Sequence, residues 1–117
     1  MLTIDKLNEC IQSKENHSIV IFKNELHNSY YYFDTQRVYL SDSIKFEVSF
    51  NEEVIYRATF TQKSLEDENF KMNLIKTILN IISLDMTDRK NSWIKMLKSI
   101  DNLMKHCYNI HIKDRKQ

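Results

Sequence analysis

Cys107 and His111 stand four residues apart with His106 beside them, a spacing at which one turn of helix would turn a thiolate and imidazoles toward a zinc ion. A closed zinc site takes four ligands, and Cys10 and His17, at the other end of the chain, would have to complete it. Cys107 also falls on an apolar helical stripe, where a free cysteine behaves as a small hydrophobe. As a nucleophile it has no sequence context that would lower its pKa. Two groups of acids, Glu52-Glu53 and Glu66-Asp67-Glu68, have the residue types for general acid–base work. The first falls in a turn and the second at a helix start, where carboxylates complement the macrodipole. The chain contains no glycine and no proline, where average usage would give about 8 and about 6. Phosphate-cradling loops, dinucleotide fingerprints and nucleophile elbows need glycine for positive φ or close backbone approach, so those motifs are excluded. The expectation is a protein that is not an enzyme and holds neither cofactor nor metal.

The elements that would carry any site follow from periodicity. Over residues 2–15, Ile4, Leu7 and Ile11 recur at three and four behind Thr3, which reads as a short amphipathic helix with an N-cap. From His17 the apolar runs 19–22, 30–33 and 38–40 read as strands separated by Asn, Asp and Ser. The run 44–50 alternates strictly, and with 54–60 beyond Asn51-Glu52-Glu53 it predicts a hairpin. Ile44, Phe46, Val48 and Phe50 then share one face, and Lys45, Glu47 and Ser49 the other. Without glycine, the turns must rely on residues such as Asn28, Asp34, Asp42 and Asn51, in loops of three to five residues.

Ser64 with Asp67 imitates a capping box, after which the period becomes helical to about Leu84. Phe70, Leu74, Ile78 and Ile81 form a stripe that Met72, Ile75, Leu79 and Ile82 widen beyond one contact face. That helix is either sandwiched between the sheet and the last helix, or part of it, within residues 70–84, closes a homodimer. A break over residues 85–88 is expected before a last helix at about 88–109, with Trp93, Met96, Leu97, Ile100, Leu103, Met104 and Cys107 at three–four spacing, and a fraying polar tail over 111–117. The fold class expected is α+β, a single domain over 1–117: an N-terminal helix, a four- to five-stranded antiparallel sheet, and two C-terminal helices packed on one sheet face.

Net charge is only +1, but it is unevenly spread. Residues 88–117 hold eight Lys or Arg against three acids, and residues 1–87 hold nine against thirteen. Lys95, Lys98 and Lys105 fall opposite the apolar stripe, with Arg89 and Lys90 nearby and Lys113, Arg115 and Lys116 beyond. That basic face is either an ordinary solvated surface or a phosphate-binding one, which makes a nucleic-acid-binding module the alternative function. Tyr30, Tyr31, Tyr32 and Phe33, followed by Arg37 and Tyr39, put aromatics on both faces of one strand. A structural role, a protein interface and base stacking all fit such a run. The leading expectation is a partner-binding surface at Tyr30, Tyr31, Tyr32, Arg37 and Tyr39 that engages a larger protein.

Ile, Asn and Lys make up about a third of the chain and alanine occurs once, a bias that hints at an AT-rich genome. Small frames of that bias are common in phages and mobile elements, where inhibitors of host defence nucleases, the anti-CRISPR proteins among them, are often of this size. No apolar run approaches the roughly 20 residues that span a bilayer, and acids occupy the N-terminal stretch where a signal peptide needs an apolar region. With two cysteines far apart, the expected location is a reducing cytoplasm.

Overall fold

The computed structural model describes the backbone of residues 1–13 and 15–115, with side chains through His106. Thr3 begins helix α1 (Ile4–Gln12): its backbone is extended and its hydroxyl accepts the Lys6 N–H at 3.3 Å, satisfying a first-turn donor. The helix is shorter than the apolar spacing predicts because Ser13 returns to extended backbone. Its last carbonyls are met by Arg37, which donates to Ile11 O at 2.5 Å and to Ser13 O at 2.9 Å. Leu7, Cys10 and Ile11 form its buried face.

Four strands follow in an antiparallel meander: β1 (His17–Asn24), β2 (Ser29–Arg37), β3 (Ser43–Phe50) and β4 (Glu53–Thr61), in spatial order β1-β2-β3-β4. Of the expected turn residues, Asn28 and Asn51 take left-handed backbone, with φ of 50° each. Asp34 does not turn the chain. It lies inside β2, paired with Glu47, because β2 is a central strand laddered on both sides. The run 38–40 is a connection and not a strand: Leu40 has φ of 56°, and the loop is closed by Val38 N–H to Ser43 O and Ser41 N–H to Val38 O. The hairpin of β3 and β4 turns on two residues, Asn51 and Glu52, where three to five were expected. With both at positive φ, the turn has the twist of a right-handed hairpin. Glu52 holds a conformation that costs an L-residue roughly 1–2 kcal/mol.

One face of the sheet builds the core. Ile21, Tyr31, Phe33, Ile44, Phe46, Val48 and Phe50 are buried, as the alternation of β3 predicts. Tyr31 stacks on Phe50 with centroids 4.6 Å apart, and Phe33 on Phe46 at 5.4 Å. A short 3₁₀ turn (Ser64–Glu66) buries Leu65 and leads into helix α2 (Glu68–Arg115). Asp67 caps α2, its carboxylate accepting the Asn69 and Phe70 N–H groups at 2.8 and 3.3 Å. Phe70 meets Phe60 of β4 edge to face at 4.9 Å. Lys71, only 6 % exposed, donates to Asn8 of α1 at 2.7 Å and to Glu68 at 2.8 Å, so its ammonium is not buried alone.

The expected break at 85–88 does not occur, and α2 runs without interruption where two helices were predicted. Neither glycine nor proline stands there to stop it. Asp85 accepts a hydrogen bond from the Tyr31 hydroxyl at 2.5 Å, and Asp88 stays helical where a cap would need extended backbone. The chain groups into two units, Met1–Asp85 and Met86–Gln117. The first holds an α+β fold, with α1 and the start of α2 beside the sheet, and the second is helix. No helix among the described residues is long and apolar enough to cross a membrane.

Candidate binding surfaces

The five aromatic-strand candidates separate by environment. Strand alternation sends Tyr31 inward, and it is fully buried. It is therefore a core residue and not part of a surface. Tyr30 and Tyr32 point the other way and are 41 % and 40 % exposed. Arg37 is committed to α1 through the two carbonyl bonds above, with a third contact to Gln62 Oε1 at 3.4 Å. Tyr39 stands in the β2–β3 connection, 88 % exposed.

Cross-strand register places Val20, Tyr32, Ser49 and Val54 in one row across the outer face of the sheet. Val20 and Val54 were not singled out by sequence, although Val54 opens a strand and Val20 alternates with the buried Ile21; both are more than a third exposed. Register shifts at Val20–Phe22 and at Val48–Ser49 bend the strands at this row. Tyr30 lies beside it, with the Lys23 ammonium 5.8 Å from its ring centroid, within cation–π range. A shallow groove of about 480 Å³ runs along Tyr30 and Tyr32 and is bordered by Ser49 of β3 and by Asn28, Asn51 and Glu52 of the two adjoining turns. Neutral amide and hydroxyl groups and one carboxylate line it, so it offers hydrogen bonds around an aromatic floor.

Farther along the same face the character is ionic. Glu47 accepts from Arg57 at 2.9 Å and lies 3.3 Å from the Lys45 ammonium. Burial raises its carboxyl, but the hydrogen bonds and charges of Lys45 and Arg57 outweigh that and hold it below the ordinary range.

The groups considered for catalysis are scattered. Cys10 is 2 % exposed; burial pushes its thiol up, the Thr35 hydroxyl opposes this less strongly, and Glu9 adds to the rise. It is thus a protonated packing group, not a thiolate. Glu52 and Glu53 lie at a hairpin turn, and Asp67 is occupied as a cap. No group of three or more metal-capable side chains occurs among the described residues. The side chains of Cys107, His111, Lys113 and Arg115, and all of Lys116, lie outside the described residues.

In the second unit every side chain from Asn91 to His106 is exposed. Lys90, Lys95, Lys98 and Lys105 are all solvent-facing, with Lys105 3.0 Å from Asp101, and Arg89 is half-buried. The apolar stripe of this unit is open as well: Met96, Leu97, Ile100, Leu103 and Met104 are 45–66 % exposed. In contrast Leu74, Ile75, Ile78 and Ile82 are buried within the first unit. Within residues 70–84, where a dimer contact was one of two expectations, Leu79 and Ile81 are half-buried and Met72 and Leu84 exposed, so only one side of the segment is committed to the core.

Compared with family models, with curated proteins and with solved structures, the chain shows no significant match to any of them.

Proposed function

We propose that this chain acts without catalysis, by binding a larger protein through the outer face of its sheet. The observation that carries the reading is the pair Tyr30 and Tyr32, side by side and about 40 % exposed over a groove rimmed by hydrogen-bonding turns. Tyrosine supplies a large apolar area and a polar tip at low entropic cost, the combination that anchors protein interfaces. Val20 and Val54 extend the apolar row, and Lys45, Glu47 and Arg57 supply a charged margin. The compositional bias fits a phage or mobile-element source. It makes a host protein, such as a defence nuclease in the manner of anti-CRISPR targets, the partner class to test first.

The test is affinity capture from host cells with Tyr30→Ala/Tyr32→Ala and Lys98→Glu variants, followed by titration with the purified partner. The tyrosine variant is expected to lose at least tenfold in affinity with its circular dichroism unchanged, and Lys98→Glu to keep it. A partner bound equally by all three proteins, or no partner at all, overturns the proposal. Nucleic-acid binding is a second reading, favoured by the solvent-facing Lys90, Lys95, Lys98 and Lys105. It requires a mobility shift that weakens steeply with salt and is lost in Lys98→Glu.

A further inference from the structure

The second unit shows a pattern that the sheet surface does not account for. Trp93 and Ile100, Met96 and Leu103, and Leu97 and Met104 are three pairs each separated by seven residues. A seven-residue apolar repeat keeps one seam of a helix turned toward a neighbouring helix. The five residues 96, 97, 100, 103 and 104 leave that seam 45–66 % exposed. An apolar strip of this length is unusual on a protein that works alone in water.

We infer that the seam is covered by the same seam of a second copy of this chain, forming a two-fold helix pair over residues 96–104. Three features favour a second copy. A heptad seam is complementary to itself under two-fold symmetry, so the partner needs no other shape. One flank of the seam carries Ser92 and Ser99 and the other Asp101, while Lys95 and Lys98 stand on the opposite side of the helix; Arg89 and Lys90 hold the seam positions one heptad earlier, so an antiparallel pair is the one that keeps these cations apart. Asp101 already offsets Lys105 at 3.0 Å. The area is also adequate: with each half-exposed side chain offering on the order of 100 Å², two seams bury about 1,000 Å², the floor for a specific interface. A reversible pair with a dissociation constant in the micromolar range is therefore expected.

Sedimentation velocity of the full chain, from about 1 to about 200 μM in reducing buffer, tests this. Wild type is expected to pass from 14.2 kDa toward twice that mass. Ile100→Lys with Leu103→Lys should weaken association at least tenfold while leaving the helical circular dichroism unchanged, and Lys98→Ala should associate like wild type. Single-chain mass at the highest concentration overturns the inference. So does a seam variant that pairs as well as wild type.

Discussion

Removing one oxygen from Tyr31 separates the core role of this residue from the surface role that its sequence neighbourhood suggests. The ring is fully buried, stacked on Phe50 at 4.6 Å, and the hydroxyl donates to Asp85 at 2.5 Å. Tyr31→Phe keeps the ring and its stacking, so the cost is that of one bond to a carboxylate that must then do without it. Hydrogen bonds to charged groups are worth about 1.5–3 kcal/mol, and Asp85 is only half-buried, so a loss of about 1.5–2 kcal/mol is expected. At about 1.5 kcal/mol per M of urea, a slope usual for a small domain, the midpoint should fall by about 1 M. Tyr32→Phe, on the exposed face, should move it by less than about a third of that. Asp85→Asn should lower the midpoint too, and the double variant should lose less than the sum, with a coupling of about 1 kcal/mol. Equal midpoints for Tyr31→Phe and Tyr32→Phe, or strict additivity with Asp85→Asn, would refute the inward assignment of Tyr31 and its link to α2.

Arg37→Ala should remove both donors from the end of α1 and cost about 1–3 kcal/mol, with Arg37→Lys recovering only part because an ammonium lacks the planar fork. Amide exchange of Leu7 to Ile11 is the direct readout, and protection as strong as in wild type would contradict it. Glu47 should contribute to acid sensitivity. Its folded pKa is lowered, so its stabilisation is fully present above the ordinary carboxylate value and is lost as the pH falls below about 4.5 and through the folded value. Its partners are partly exposed, which limits the effect to about 1 kcal/mol. Urea midpoints for wild type and Glu47→Gln should converge between pH 7 and pH 3, and a constant gap would sink the assignment.

What could be read from the residues was whatever depended on period alone. Strict alternation from Ile44 to Phe50 placed the buried face of β3 correctly, and Thr3 and the apolar spacing behind it located α1. Reading failed where a tertiary partner decided the outcome. Alternation put Tyr31 and Tyr32 on opposite faces without saying which was inside; that choice belongs to Phe50 and Asp85, 19 and 54 residues away. Arg37 looked like an interface anchor because its acceptors are backbone carbonyls of α1, which carry no sequence signature. The turn at Asn51-Glu52 was read as longer because a two-residue hairpin ordinarily calls for glycine, and here twist matching of the strands prevails over the cost at Glu52.

The break expected at 85–88 has a different origin and bears on function. Asp85 and Asp88 bound the expected break, yet an acid ends or starts a helix only where the chain also leaves helical backbone. With no glycine or proline at hand and Tyr31 holding Asp85, the cheaper course is to continue, and α2 carries an apolar seam onward as exposed helix. Within its own unit, a single helix among the described residues, the seam over residues 96–104 has no second element to pack on, and the matching helix of a second copy supplies one.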